Sequence, residues 1–570
     1  MHDIVIRGAT VVDGTGCPAR TADVAIDGGT IVAVGRGVGP GRREIAADGL
    51  LLTPGWVDIH THYDGQATWD PYMTPSSWHG VTTAVFGNCS VGFAPVAKGQ
   101  EPYLINLMEG VEDIPEAVLA EGIDFRWESF PDYLDVLDSM PRIMDIGAQV
   151  PHAPLRFYVM GERGADHTAE PTADEIDRMG RLLEEGLMAG ALGFTTSRTT
   201  KHRAADGRLT PSLSAAEPEL AGLARAMRRA GRGVIEVNSD FGAGDFGRLR
   251  AAAEIAGRPL SVLLVQVANA PDLWRETLDG VSRMRAAGLA ANAQVGCRPI
   301  GVMMGLEAST HPFRTHPDWL AMADWTPAQR LAELRNNPDL RRRLVEERPD
   351  NADTQWIAQA LDRTFELDDR IDYEPDPADS ITARAKRQGR DPFDLALELM
   401  MQNDGQALLL HTFENYCDGD LEVVREMLTH PDSVCGVADA GAHVCIICDA
   451  ASPTYLLTHW ARDRRRGEHL PLEFLVKKQA RDTAVAYGLL DRGLIAPGYR
   501  ADINLIDFEN LRLTRPRVAY DLPANGKRLV QKSEGYRHTF VAGVEVMQDG
   551  EPTGALPGRL VRGARSDPAA

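Results

Sequence analysis

Short apolar runs open the chain at Ile4-Val5-Ile6, Thr10-Val11-Val12, Asp23-Val24-Ala25-Ile26 and Thr30-Ile31-Val32-Ala33-Val34, punctuated by Asp13-Gly14 and Asp27-Gly28-Gly29. Runs of this length bounded by Asp-Gly pairs predict strands joined by tight turns. The same style returns in Ala501-Asp502-Ile503-Asn504-Leu505-Ile506-Asp507 and in Thr539-Phe540-Val541-Ala542-Gly543-Val544-Glu545-Val546. Two strand-rich ends around a mixed middle predict one small β domain assembled from both termini. In the middle, strand-like runs at 56–60, 81–86, 145–150, 190–195, 233–238, 260–267, 289–295 and 433–438 alternate with amphipathic stretches. That alternation predicts βα units around a parallel sheet, an α/β fold.

The predicted order is therefore residues 1–54 in the β domain, 55–485 in the parallel α/β body, 486–556 back in the β domain, and 557–570 as a tail expected to fray. Helix starts are legible in places. Ser214-x-x-Glu217 has the form of a capping box, with Gly231 where that helix would stop. Asp391-Pro392, Thr326-Pro327 and Asn337-Pro338 each place proline at a first helical position. The stretch of about 300–430 is far longer than an ordinary βα connection. It includes a further strand-like run, Ala407-Leu408-Leu409-Leu410-His411, and is expected to form a wall or lid over the carboxyl ends of the strands.

Composition narrows the partners. Hydrophobic residues make up 44% and charged residues 25%, a globular balance. A formal charge of −22 argues against nucleic acid or an anionic membrane surface and leaves a small molecule as the expected partner, with homo-oligomers open. The seven cysteines form no framework pattern, and Cys445-x-x-Cys448 lacks a second pair, so both read as buried thiols. With no long apolar run and no basic-then-apolar leader at Met1-His2-Asp3-Ile4-Val5-Ile6, a cytoplasmic protein is expected.

The chemistry gathers at strand ends. Gly49-Leu50-Leu51-Leu52-Thr53-Pro54-Gly55-Trp56-Val57 runs into Asp58-Ile59-His60-Thr61-His62-Tyr63-Asp64. On a strand, i and i+2 share a face, so His60 and His62 project together and can reach one metal ion. The second strand is followed by Gly87-Asn88-Cys89-Ser90, and the eighth by Asp439-Ala440-Gly441-Ala442-His443. Two imidazoles, a thiolate and a carboxylate are good zinc ligands. A bound divalent ion lowers the pKa of its water from 15.7 toward about 7 and polarises a carbonyl. Asp439 beside that water could take its proton and return one to a leaving amine.

On these motifs, with Gly80-Val81-Thr82-Thr83 and Arg492-Gly493-Leu494-Ile495-Ala496-Pro497-Gly498-Tyr499-Arg500-Ala501-Asp502, the chain resembles the amidohydrolase superfamily and, within it, the D-aminoacylase (N-acyl-D-amino-acid deacylase) group. The resemblance implies a (β/α)8 TIM-type barrel with a small β-sandwich built from both chain ends, zinc, a hydrolytic water, and the strand-eight aspartate as general base. It also implies that Cys89 is a metal ligand in place of the carbamylated lysine of many relatives. Lys201 lies in a polar loop, Arg198-Thr199-Thr200-Lys201-His202.

The chain departs from that pattern after strands five and six, where D-aminoacylases carry metal-binding histidines. Here the strands read Gly233-Val234-Ile235-Glu236-Val237-Asn238 and Leu263-Leu264-Val265-Gln266-Val267. The expected site is one zinc per chain on His60, His62, Cys89 and Asp439, with two ions as the alternative and His202, His411 and His443 as supplementary candidates. Expected substrate contacts are Tyr63, Arg198, Asn238, Gln266, Arg298 and His443, with Arg298 suited to a planar carboxylate. The predicted function is zinc-dependent hydrolysis of a linear amide in an N-acylated amino acid, N-acyl-D-amino acids first, or in a small peptide-like compound. A cyclic amide, carbamate or ester on the same barrel is one alternative, and a metal-free binding protein is another.

Overall fold

The computed structural model describes every residue of 1–570 except Ala243. Its parallel strands are β1 (Trp56–Asp58), β2 (Val81–Phe86), β3 (Asp145–Ala148, resuming at Val150–Pro151), β4 (Gly193–Arg198), β5 (Val234–Ser239), β6 (Leu260–Leu264), β7 (Ala291–Val295) and β8 (Ser433–Cys435). β1, β2 and β3 pair in parallel in that order, and the second half of β3 continues the ladder through β4, β5, β6, β7 and β8. Just past the last strand, Thr61 bridges in parallel to Ala440, and His60 and Ala440 accept backbone bonds from Asp439 and His62. Each strand thus neighbours the next in chain order, and the end of the eighth lies beside the end of the first. β2, β4 and β7 are buried at every residue, as strands covered on both faces must be.

The expected small sandwich is, by its hydrogen bonds, one continuous nine-stranded sheet. Its path runs Glu551–Pro552, Val544–Gln548, Tyr536–Val541, Ile503–Ile506, Leu51–Pro54, His2–Val11, Arg20–Asp27 and Thr30–Gly35, with Gly41–Ala46 also paired to His2–Val11. The two chain ends meet where Ile503–Ile506 lies antiparallel to Leu51–Pro54. Strand His2–Val11 is shared by three neighbours because its first half pairs with Gly41–Ala46 and its end with Leu51 and Leu52.

Two local expectations are corrected. The helix over Glu217–Ala230 starts without a side-chain cap from Ser214; Pro218 in its first turn and the left-handed Gly231 at its end set its limits. The segment after Leu556 does not fray, since Val561 donates to Ile146 and Ile146 to Arg559, and Leu560 and Val561 are buried. The other helix starts form as read, with Thr326, Asn337 and Asp391 each accepting a backbone N–H at its helix start.

Between β7 and β8 the insertion carries its own antiparallel sheet of Ile300–Met304, Leu409–Glu414 and Thr364–Glu366. Its helices pack over a separate core that includes Leu334, Leu344, Ile357 and Phe393. Among the described residues, no helix is long and apolar enough to cross a membrane.

One buried charge cluster ties the β domain to the strands. Arg492 donates to Asp145 at 2.9 Å and Thr83 at 2.8 Å, and Arg500 donates to the other oxygen of Asp145 at 2.9 Å. Arg492→Met leaves Asp145 with Arg500 and removes the bond to Thr83, and is expected to cost about 1–3 kcal/mol of stability, read from the denaturant midpoint.

Candidate metal centre

β1 ends at Asp58, and the alternation continues far enough for His60 and His62 to point the same way. Gln294, inside β7, presents Oε1 to His60 Nδ1 at 2.8 Å while its own Nε2 donates to Ser261 at 2.9 Å. That amide orientation makes Nδ1 the protonated nitrogen and turns the Nε2 lone pair inward. Nε2 of His60 then lies 3.4 Å from Cys89 Sγ and 3.5 Å from Asp439 Oδ1. His62 Nε2 is 3.3 Å from the same Asp439 oxygen. Ligand atoms of His60, His62 and Cys89 all lie within 4.8 Å of one another, with all three residues buried.

The backbone bends sharply to deliver the remaining groups. Gly87 has φ 84°, and a Cβ there would stand 2.4 Å from the Gln149 carbonyl, so β2 can turn against β3 only with glycine. Cys89 follows at φ 54°, with its N–H given to Glu236 at 3.2 Å. After β8, Val437 and Asp439 are also left-handed, at φ 60° and 50°. Such conformations are uncommon outside glycine and gather where surrounding structure enforces them, typically at functional sites.

The electrostatics call for a cation. Asp58 Oδ2, both oxygens of Glu112, Glu236 Oε1 and Asp439 Oδ1 are buried without a hydrogen-bond donor. Glu112, at the end of helix Glu101–Glu112, stands 3.2 Å from His62 Nδ1 and 3.6 Å from His443 Nε2. Burial pushes Asp58 and Glu236 up to about 7 and lifts Glu112 well above the carboxylate range. Burial also lowers His62 to about 4 and raises the Cys89 thiol, helped there by the charges of Glu236, Glu112 and Asp439. Burial alone would raise Asp439 as well, but the nearby imidazoles of His62, His60 and His443 hold it below the usual carboxylate range. Buried acids without partners are costly, and a divalent ion among them inverts this balance. The donor set of two imidazoles, a thiol and a carboxylate fits zinc.

A direct consequence concerns Glu112. Glu112→Gln removes the carboxylate that stands beside His62 Nδ1, so metal is expected to be held about 10–100-fold less tightly, measured by competition against a chromophoric chelator.

Above these groups opens a cavity of about 890 Å³ whose lining includes Asp439, His202, Asn238 and His443. Asn238 Nδ2 faces Cys89 Sγ at 3.6 Å and His202 Nε2 at 3.3 Å, and Ser197 holds the other nitrogen of His202 at 3.0 Å. The insertion supplies part of the wall through Ile300, Val302, Arg314, Trp356 and Phe413. Four expected substrate contacts are committed elsewhere. Arg298 is 2% exposed, donates to Asp449 at 2.7 Å and stacks on Tyr373 at 4.1 Å. Arg198 binds Asp245 at 2.7 Å and the Ala215 carbonyl at 2.8 Å. Gln266 is clamped between Asp418 and the Cys417 N–H, and the Tyr63 hydroxyl goes to Ser76 at 2.7 Å. His411 contacts Ala360 and Thr364 within the insertion and is not brought to the metal ligands.

Sequence reading missed Asp58, Glu112, Glu236 and Gln294. Glu236 and Gln294 did leave a signal, as polar residues flanked by the apolar Ile235 and Val237 and by Ala293 and Val295. Glu112 left none, because it ends an ordinary amphipathic helix.

The model of the amidohydrolase family matches residues 43–547. The chain belongs to the amidohydrolase family. It is 29% identical to an N-acyl-D-aspartate deacylase of Alcaligenes xylosoxydans xylosoxydans, covering 98% of this chain and 95% of that one. A crystal structure of D-aminoacylase superposes with a TM-score of 0.65 at 23% identity, covering 99% of this chain and all (100%) of that one. An N-acyl-D-glutamate deacylase from Bordetella bronchiseptica, complexed with zinc and a phosphonate mimic of the tetrahedral intermediate, also gives 0.65, at 24% identity, covering 98% and 99%. This amidohydrolase thus has the D-aminoacylase fold. At the ends of β5 and β6 it presents Asn238, turned toward Cys89, and Gln266, turned away.

Proposed function

We propose that this amidohydrolase is a zinc-dependent hydrolase of the linear amide bond in N-acylated amino acids, with N-acyl-D-amino acids as first candidates. The observation that carries the reading is the convergence of His60, His62, Cys89 and Asp439 among uncompensated buried acids at the base of a cavity of about 890 Å³. The family and the deacylase names of its relatives agree with it. We further read β1 to β8 as a closed (β/α)8 barrel spanning about 55–485, with the small domain drawn from 1–54 and 486–556. The Thr61–Ala440 bridge supports closure.

His60, His62, Cys89 and Asp439 would hold the zinc, which supplies Lewis-acid activation of a carbonyl and of water. The chain's own residues do the rest. Gln294 fixes the tautomer of His60. Asp439, kept ionised and lining the cavity, accepts a proton from the attacking water and returns one to the leaving amine nitrogen. His443 and Asn238, also on the lining, are placed to hydrogen-bond substrate.

The test is metal content by elemental analysis, together with turnover of N-acetyl-D- and N-acetyl-L-amino acids. One zinc per chain with hydrolysis of the D series is expected. A zinc-replete protein that leaves every linear N-acyl amino acid intact would overturn the reading.

A further inference from the structure

Cys89 is held at both ends by β5. Glu236 and Asn238, two positions apart on one face of that strand, both reach it. Glu236 accepts the Cys89 N–H at 3.2 Å, and Asn238 Nδ2 faces Sγ at 3.6 Å. Among the described residues one other polar group reaches the sulfur, Nε2 of His60 at 3.4 Å. A metal-bound thiolate has lone pairs and no proton, so the amide turns its N–H side to it. The second N–H of Nδ2 then goes to His202 Nε2 at 3.3 Å. That makes Nδ1 the protonated nitrogen of His202, donating to Ser197 Oγ at 3.0 Å. Ser197 and Asn238 are direct partners in the register of β4 and β5, so the relay is anchored in the sheet. Past β6, the Gln266 amide is committed to Asp418 and to the Cys417 N–H.

We infer that Asn238 is a positioning residue for a single-metal centre, its amide N–H holding the Cys89 sulfur and facing it with a donor where a second ion would need a lone pair. An N–H repels a cation, and with Gln266 turned away the β5 and β6 ends present no free ligand to an ion on that side of Cys89. A thiolate that accepts an N–H also gives less charge to its metal, which leaves the metal a stronger Lewis acid. The inference deepens the zinc-hydrolase reading and rests on it.

The experiment loads the protein with cobalt(II) in place of zinc and follows the near-ultraviolet thiolate-to-cobalt charge-transfer band through a titration. In the wild type the band is expected to be complete at one equivalent, and Cys89→Ser to abolish it. Loss of the N–H raises the energy of the sulfur lone pairs. Asn238→Leu, which keeps the side-chain volume, and the shorter Asn238→Ser are therefore both expected to move the band to longer wavelength. Zinc affinity, by competition against a chromophoric chelator, is expected to fall about 10–100-fold in both. Asn238 is half-buried on the cavity wall, so both variants are expected to fold. A role confined to packing would shift the denaturant midpoint and leave the wavelength where it is. A band unmoved in both variants would overturn the inference and leave the ligand set standing. So would a wild-type band that keeps changing beyond one equivalent, since a second ion would then share the sulfur. Cobalt-treated protein without such a band would remove Cys89 from the ligands, and the inference with it. None of these readouts depends on turnover, so failure to hydrolyse N-acyl amino acids would count against the substrate alone.

Discussion

Asp439→Asn is expected to lower kcat/KM for N-acyl amino acid hydrolysis by about 10³-fold or more while leaving the fold intact. The asparagine keeps the shape of the side chain and loses the one group on the cavity lining that is both ionised and within 3.3–3.5 Å of the two histidines. General acid–base groups typically contribute about 10²–10⁴-fold, and Asp439 is asked to act in both directions, first as base and then as acid. Stability of the metal-free protein should not fall with activity, because Asp439 Oδ1 has no hydrogen-bond donor and its charge raises Glu112 further; the activities are compared at equal measured zinc content, since Asp439 is also a proposed ligand. Steady-state kinetics with circular dichroism separates the two effects. A variant that keeps a tenth of wild-type turnover would remove Asp439 from its assigned role.

Stripping the metal is expected to abolish hydrolysis and to destabilise the protein measurably. An ion that binds only the folded state, present at a thousand times its dissociation constant, contributes about 4 kcal/mol. The metal-free site leaves Asp58, Glu112, Glu236 and Asp439 buried with no donor on at least one oxygen each, so it has little to replace that contribution. Chelator treatment should therefore lower the thermal midpoint, and added zinc should restore both midpoint and activity. His60→Ala and Cys89→Ser should both be insensitive to chelator and to zinc, because each removes a ligand from the cluster of three. A wild-type midpoint unmoved by chelator, in protein shown to have lost its metal, would mean that the buried acids are balanced in another way.

The positions of the parallel strands and of the candidate metal ligands were legible in the chain because both follow from local rules. Apolar runs of four to eight residues between helical stretches are what strands covered on both faces require. The i, i+2 alternation alone places His60 with His62, and a strand end places Cys89 and Asp439 where loops begin. What only the tertiary structure decided is which polar partner each remaining side chain meets. Arg298 sits just past β7, as read, yet Asp449 and Tyr373 from distant segments draw its guanidinium out of the cavity. Gln266 is likewise claimed by Asp418, and Tyr63 by Ser76. Glu112 ends a helix with no distinguishing motif, and only packing sets it between His62 and His443. Sequence period fixes the face a side chain takes because that depends on its own backbone. Its partner depends on residues tens to hundreds of positions away, and no local pattern carries that information.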